Sequence, residues 1–169
     1  MQWLILSVLA ALLTNPERPQ SAGRPDHPAQ QTGGWQYEQV SGPAGQPIRK
    51  ASLASTNAIE LAYPYEGAIP VTLTIRQGRD EPQVSLAVAK GFLTRSFQGG
   101  RAQVRFDGGP AVTYALSAAA NGRANLVFVD EAARFIGRVK AARQLTVRLE
   151  FAGQPVRNLR FSTAGLRWP

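Results

Sequence analysis

The chain has no cysteine. That excludes disulfides, thiolate metal sites and cysteine nucleophiles, and with them the lipobox cysteine of a bacterial lipoprotein. Its single histidine, His27, lies in a proline-rich stretch, so the rest of the chain has no Ser-His-Asp triad and lacks the commonest general base. Charge is sparse, at 18% of residues against roughly one quarter in most soluble proteins. Acidic residues are the scarcer sign, with 11 Asp and Glu against 19 Lys and Arg, for a formal net charge of +8. Gly-x-Ser-x-Gly, P-loop, Gly-x-Gly-x-x-Gly and His-Glu-x-x-His motifs are all missing. No loop clusters the oxygen ligands that calcium requires. Neither a cofactor nor a metal is expected.

What is present begins with the apolar run Leu4 to Leu13, LILSVLAALL. Ten residues fall short of the roughly 20 that a helix needs to cross a bilayer core of about 30 Å. They match the apolar region of a secretory signal, so residues 1–14 are expected to be a signal segment. Cleavage would leave no transmembrane anchor. Residues 15–34, NPERPQSAGRPDHPAQQTGG, are rich in proline and nearly free of apolar side chains. Such a segment cannot bury enough surface to offset its ordering entropy and is expected to be a disordered linker.

From Trp35 the pattern changes to period two. Val71, Leu73 and Ile75 alternate with polar residues, as do Val84, Leu86 and Val88, then Val104 and Phe106, then Val112, Tyr114 and Leu116. Leu145, Val147, Leu149 and Phe151 follow the same rule, and the chain closes through 156–163 to a core-plugging Trp168. Successive strand side chains point to opposite faces, so each segment has one apolar and one wet side, as in antiparallel sheets. Residues 78–82 and Asp107-Gly108-Gly109-Pro110 read as hairpin turns, and Gly99-Gly100 and Asn121-Gly122 as further turns. Lys90-Gly91 reads as a strand end where the chain turns and the ammonium reaches solvent.

Between Asp130 and Arg143 the period changes again. Ala132, Phe135, Ile136 and Val139 form a helical stripe. Asp130 is expected to cap it, Glu131 to suit its positive end, and Lys140 and Arg143 its negative end. Gly137 inside it costs up to about 1 kcal/mol. Residues 35–169 are therefore expected to form a single mainly β domain, an antiparallel β-sandwich or partly open barrel, with one short α-helix near 130–143 covering an end or edge.

Several fragments in this order carry a resemblance: Trp35-Gln36-Tyr37, Tyr63-Pro64-Tyr65-Glu66-Gly67, Lys90-Gly91-Phe92, Val104-Arg105-Phe106-Asp107, Phe135-Ile136 and Gly165-Leu166-Arg167-Trp168. Together they resemble a group of small exported bacterial β-sandwich proteins of uncharacterised function. More loosely they are similar to the invasion-associated locus B type and to accessory proteins of type VI secretion. The resemblance implies an envelope location and a β-sandwich, and carries no catalytic residue onto this chain. The cysteine that follows the Lys-Gly-Phe stretch in many such proteins is missing here, which removes any disulfide or redox role.

The candidate contact residues are arginines. Arg76, Arg105 and Arg148 fall at outward strand positions, and Arg134 and Arg138 one turn apart on the helix. If the strands are neighbours, these five form a cationic stripe for an anion or partner. No aromatic residues interleave with them to stack bases, so nucleic acid is not an expected partner. The reading is a non-catalytic exported binding or accessory module, periplasmic or secreted, whose partner is another envelope protein or an anionic polymer. Two further readings stay open. One is an immunity-type protein that occludes a toxin or hydrolase. The other is an enzyme whose carboxylates converge from among Glu60, Glu66, Asp107 and Glu150.

Overall fold

The computed structural model describes residues 34–42, 45–60, 64–65, 67–78 and 80–169. The expected signal segment, the linker up to residue 33, His27, Tyr63 and Glu66 lie outside the described residues. Among the described residues there are nine strands: β1 (Gln36–Ser41), β2 (Pro47–Glu60), β3 (Ala68–Gln77), β4 (Gln83–Val88), β5 (Gly100–Phe106), β6 (Val112–Ala118), β7 (Leu126–Val129), β8 (Gln144–Glu150) and β9 (Arg157–Ser162). The helix α1 (Ala132–Ala141) stands between β7 and β8. All nine strands belong to one antiparallel sheet in the order β1-β2-β3-β4-β7-β6-β5-β8-β9. Of the two architectures expected, the chain adopts the partly open barrel, because a single continuous ladder curls around one core.

The period-two pattern produces that core directly. Val71, Leu73, Ile75, Val84, Leu86, Val88, Val104, Tyr114, Leu116, Leu145, Val147 and Leu149 are all buried. Each such aliphatic side chain contributes about 1.5–3 kcal/mol on leaving water. Val112 and Phe106, nearer the rim, are only half-buried. Trp168 is buried against the same cluster and plugs the core, as expected.

The ladder does not close the barrel. Beyond the part of β2 that pairs with β1, the strand bulges between Ala54 and Ala58 and runs beside β9 without a main-chain ladder. Side chains span the gap. Ser55 Oγ donates to Asn57 O at 2.5 Å and accepts the Val71 N–H at 2.9 Å, restoring a bond that the bulge removes from the β3 side. On the other side, Thr56 and Asn57 reach the main chain of β9. Trp35 Nε1 donates to Thr163 O at 2.9 Å, and the Tyr37 hydroxyl accepts from Arg167 N at 2.7 Å, tying the first strand to the C-terminal segment.

Helix α1 covers one end of the barrel. Phe135, Ile136 and Val139 are buried, and the Phe135 ring stands edge-on to Tyr114 at 5.3 Å and to Phe106 at 6.1 Å. Its N-terminus differs from expectation. Asp130 is not the cap: its carboxylate, which would have to accept a first-turn N–H, accepts from Ser117 Oγ at 2.7 Å instead, and its own N–H bonds to Ala115 O. Glu131 takes the cap position with a left-handed φ of 54° and no side-chain capping bond. At the far end Arg138 and Lys140 occupy the last turn, and Arg143 falls outside the helix.

The turn at Asp107-Gly108 has positive φ at both residues, 49° and 75°, as a type I′ hairpin requires. Gly99-Gly100 is not a turn. Gly100 opens β5, where a Cβ would strike the Phe151 ring, and at Gly99 it would meet Leu116 O at 2.6 Å. These two glycines serve close strand approach. Asn121-Gly122 is a turn, with Gly122 at φ 73°. Among the described residues, no helix is long and apolar enough to cross a membrane.

Candidate functional site

Strand register decides which arginines meet. On the outer face of β5, β8 and β9, Arg105 lies opposite Thr146, which lies opposite Arg160. One row away, Gln103 faces Arg148 and Arg148 faces Asn158; in the next, Arg101 faces Glu150. Arg101, Arg105, Arg148 and Arg160 are all exposed on this three-strand wall. They share it because their apolar neighbours Ala102, Val104, Val147, Leu149, Leu159 and Phe161 turn into the core.

The wall carries one carboxylate. Glu150 accepts from Arg148 Nε at 3.1 Å and from Gln103 Nε2 at 3.3 Å, with Arg101 Nη2 at 4.0 Å. These contacts are largely exposed, where an ion pair contributes only about 0–1 kcal/mol, so both guanidinium groups stay free to exchange partners. Arg105 Nη1 donates to Gly109 O at 3.3 Å. Neither Arg105 nor Arg160 has a carboxylate within salt-bridge distance among the described residues. Beside Arg160 a groove of about 180 Å³ runs along the seam, with Thr56, Thr146 and Ser162 supplying hydroxyls.

The helix extends the cationic surface. Arg138 lies 5.3 Å from the centroid of the Phe106 ring and borders a cleft of about 300 Å³ with Asp107, Gly109 and Pro110, the same turn that Arg105 contacts. Arg134 is paired with Glu131 at 2.8 Å and lies 5.7 Å from the Tyr114 ring. The Glu131 carboxylate raises the Arg134 pKa above the ordinary arginine value. Burial raises the Tyr114 phenol above its usual value, opposed by the nearby charges of Arg134 and Arg138.

Arg76 does not join the others. It lies on β3 between Lys50 of β2 and Gln83 of β4, and β4, β7 and β6 separate it from β5. Its cleft also holds Asp80 and Glu81. Alternation alone identified Arg76 as outward but could not say which wall it faces. Conversely, Arg101 and Arg160 sit at outward parity in their strands and become site residues only through the β5-β8-β9 order.

Burial lowers the pKa of a further cation, Arg157. It donates to Leu93 O at 2.8 Å and Gln154 Oε1 at 3.3 Å at the opposite end of the barrel. Of the described carboxylates, Asp80 and Glu81 share the cleft of Arg76, and the others are dispersed: Glu38 on Lys50, Glu60 at the end of β2, Asp107 in the β5–β6 turn, Asp130 on Ser117, Glu131 on Arg134, and Glu150 among the wall arginines. In comparison with known proteins, no family model, no curated protein and no solved structure matches the chain.

Proposed function

We propose that the chain is an exported, non-catalytic binding or accessory module, periplasmic or secreted, whose β5-β8-β9 wall engages an anionic polymer. The observation that carries this reading is that four outward arginines on three adjacent strands stand beside a single carboxylate on the wall, Glu150, which pairs with Arg101 and Arg148 alone. Guanidinium groups at neighbouring register positions match the spaced negative charges of a polyanion. The hydroxyl-lined groove beside Arg160 adds donors for oxygen-rich groups. The export half of the reading rests on the apolar run Leu4 to Leu13 and the proline-rich residues after it, and on the resemblance to small exported proteins.

Retention on immobilised heparin tests the wall. Arg105→Glu/Arg148→Glu is expected to elute at clearly lower salt than the native chain, and Arg76→Glu, on the other wall, at nearly native salt. Equal retention of the double variant discards the wall. Export predicts a mature N-terminus between about Thr14 and Gly34, and Met1 on secreted or periplasmic material refutes it.

A further inference from the structure

The end of the barrel away from α1 is built from the loops 89–99, 119–125 and 151–156 that follow β4, β6 and β8, with Tyr65 beyond β2 beside them. The β4–β5 loop ties them together. Arg157 Nη1 donates to Leu93 O, Gln98 Nε2 to Ala152 O at 2.9 Å, Ser96 Oγ to Gly122 O at 2.6 Å, and the Phe92 ring stands edge-on to Tyr65 at 5.4 Å.

This end exposes large apolar side chains. Phe97 is 70% exposed, Phe92 56% and Val156 45%. Phe97 also holds a left-handed backbone, φ 58°, which is unfavourable for a bulky residue and is retained only where surrounding contacts impose it. Those contacts are visible. Thr94 Oγ1 donates to Gln98 O at 3.1 Å, and Gln98 N to Arg95 O at 3.0 Å. The Phe97 ring lies over Gly122, where a Cβ would come within 2.7 Å of it. The ring is thus held outward on a fixed loop, with its ordering cost already met.

Exposed charge in the three loops after β4, β6 and β8 is of one sign, and Glu60, which closes β2, is the exposed carboxylate at this end among the described residues. Loops 89–99, 119–125 and 151–156 contain Lys90, Arg95 and Arg123, all exposed, and no Asp or Glu. Aromatic side chains at loop tips ringed by Lys and Arg match the interface of an anionic bilayer, where rings enter the acyl boundary and cations meet the headgroups. A protein partner would more fittingly receive a recessed pocket or an unbroken apolar face, whereas here Phe92 and Phe97 project from one loop and Val156 from another.

We infer that this end of the barrel is a docking surface for an anionic lipid bilayer, with Phe92, Phe97 and Val156 entering the interface and Lys90, Arg95 and Arg123 meeting the headgroups. It is distinct from the arginine wall and does not depend on it.

The chain's lack of cysteine makes the test specific. The full chain carrying Val156→Cys with a nitroxide label is mixed with phosphatidylcholine vesicles with or without phosphatidylglycerol, and the label's accessibility to an aqueous relaxation agent is read by electron paramagnetic resonance. A label at Thr113→Cys, outside these loops, is the control. Docking predicts that the label at 156 becomes shielded on anionic vesicles and the label at 113 does not. Phe97→Asn keeps a residue that tolerates the left-handed backbone; combined with Phe92→Ser it should lower the shielded fraction about tenfold or more. Arg105→Glu/Arg148→Glu should leave the shielding unchanged, which separates this inference from the heparin result. The inference is overturned if the label at 156 stays water-accessible on vesicle-bound protein, or is shielded equally on pure phosphatidylcholine. Immobilisation without vesicles, rising with protein concentration, also overturns it and assigns the end to self-association.

Discussion

Asn57 Oδ1 accepts the backbone N–H of Arg160 at 2.7 Å while Asn57 Nδ2 donates to Asn158 O at 2.8 Å. One side-chain amide thereby bonds the main chain of β9 as a neighbouring strand residue would. It does so at the point where β2 bulges and its own peptide groups turn out of register. Curling brings β9 beside β2, and the carboxamide joins them together with the Thr56 hydroxyl, which donates to Arg160 O.

Asn57→Ala should therefore loosen the seam specifically. Loss of two partly shielded hydrogen bonds predicts about 1–3 kcal/mol of destabilisation in urea. The Arg160 amide should lose hydrogen-exchange protection while amides in the middle of β4 keep theirs. Undiminished protection at Arg160 would show that packing alone holds the seam.

Asp107 has a second role beyond its turn. Its Oδ1 accepts the backbone N–H groups of Arg143 at 2.9 Å and Gln144 at 2.8 Å, fixing the exit from α1 onto the β5–β6 hairpin. Asp107→Asn keeps both an acceptor oxygen and tolerance of φ 49° and should cost well under half of what Asp107→Ala costs, itself about 1–3 kcal/mol. Thermal melts of the two variants check the ratio.

Tyr114 is fully buried, and its hydroxyl has no hydrogen-bond partner among the described residues. Tyr114→Phe keeps the ring against Phe135 and removes a desolvated polar atom, so stability should be unchanged or higher by about 1 kcal/mol. Because burial raises the folded-state pKa of this phenol, the folded form holds its proton more tightly than the unfolded chain does. Its contribution is complete below the ordinary tyrosine pKa and is lost as pH rises through the raised one. Alkaline unfolding should consequently be less steep in Tyr114→Phe, and identical pH curves would refute the assignment.

Gly137 lies exposed within α1, and a Cβ there would meet nothing within 4 Å. Gly137→Ala should stabilise the fold by up to about 1 kcal/mol, read as a higher urea midpoint with an unchanged slope.

The strands from Val71 to Phe151 were legible because alternation is a local property of the chain, and each buried apolar residue in those strands follows its own parity, Ser85 being the buried polar exception. The helix was legible through Phe135, Ile136 and Val139, but its cap was not. Asp130 is a good capping residue in isolation, yet its carboxylate is taken by Ser117 of β6, a partner that local pattern cannot supply. β1, β2 and β7 gave weaker signals. The bulge at Ser55–Asn57 breaks the alternation of β2, and β7 is only four residues long. Among the candidate arginines, Arg105, Arg148 and Arg138 border one continuous surface, whereas Arg76 lies on another wall.

Sequence alone determined which side chains turn inward, where glycine permits the Asp107-Gly108 hairpin, and that thiol chemistry is impossible, because each depends only on residue type and near neighbours. Tertiary structure decided that one sheet curls into an incomplete barrel instead of splitting in two. It also decided that Arg101 and Arg160 join Arg105 and Arg148, and that Phe92, Phe97 and Val156 share one end. Those facts depend on strand order and on side-chain bonds spanning about a hundred residues, such as Asn57 to Arg160, and no local periodicity encodes them.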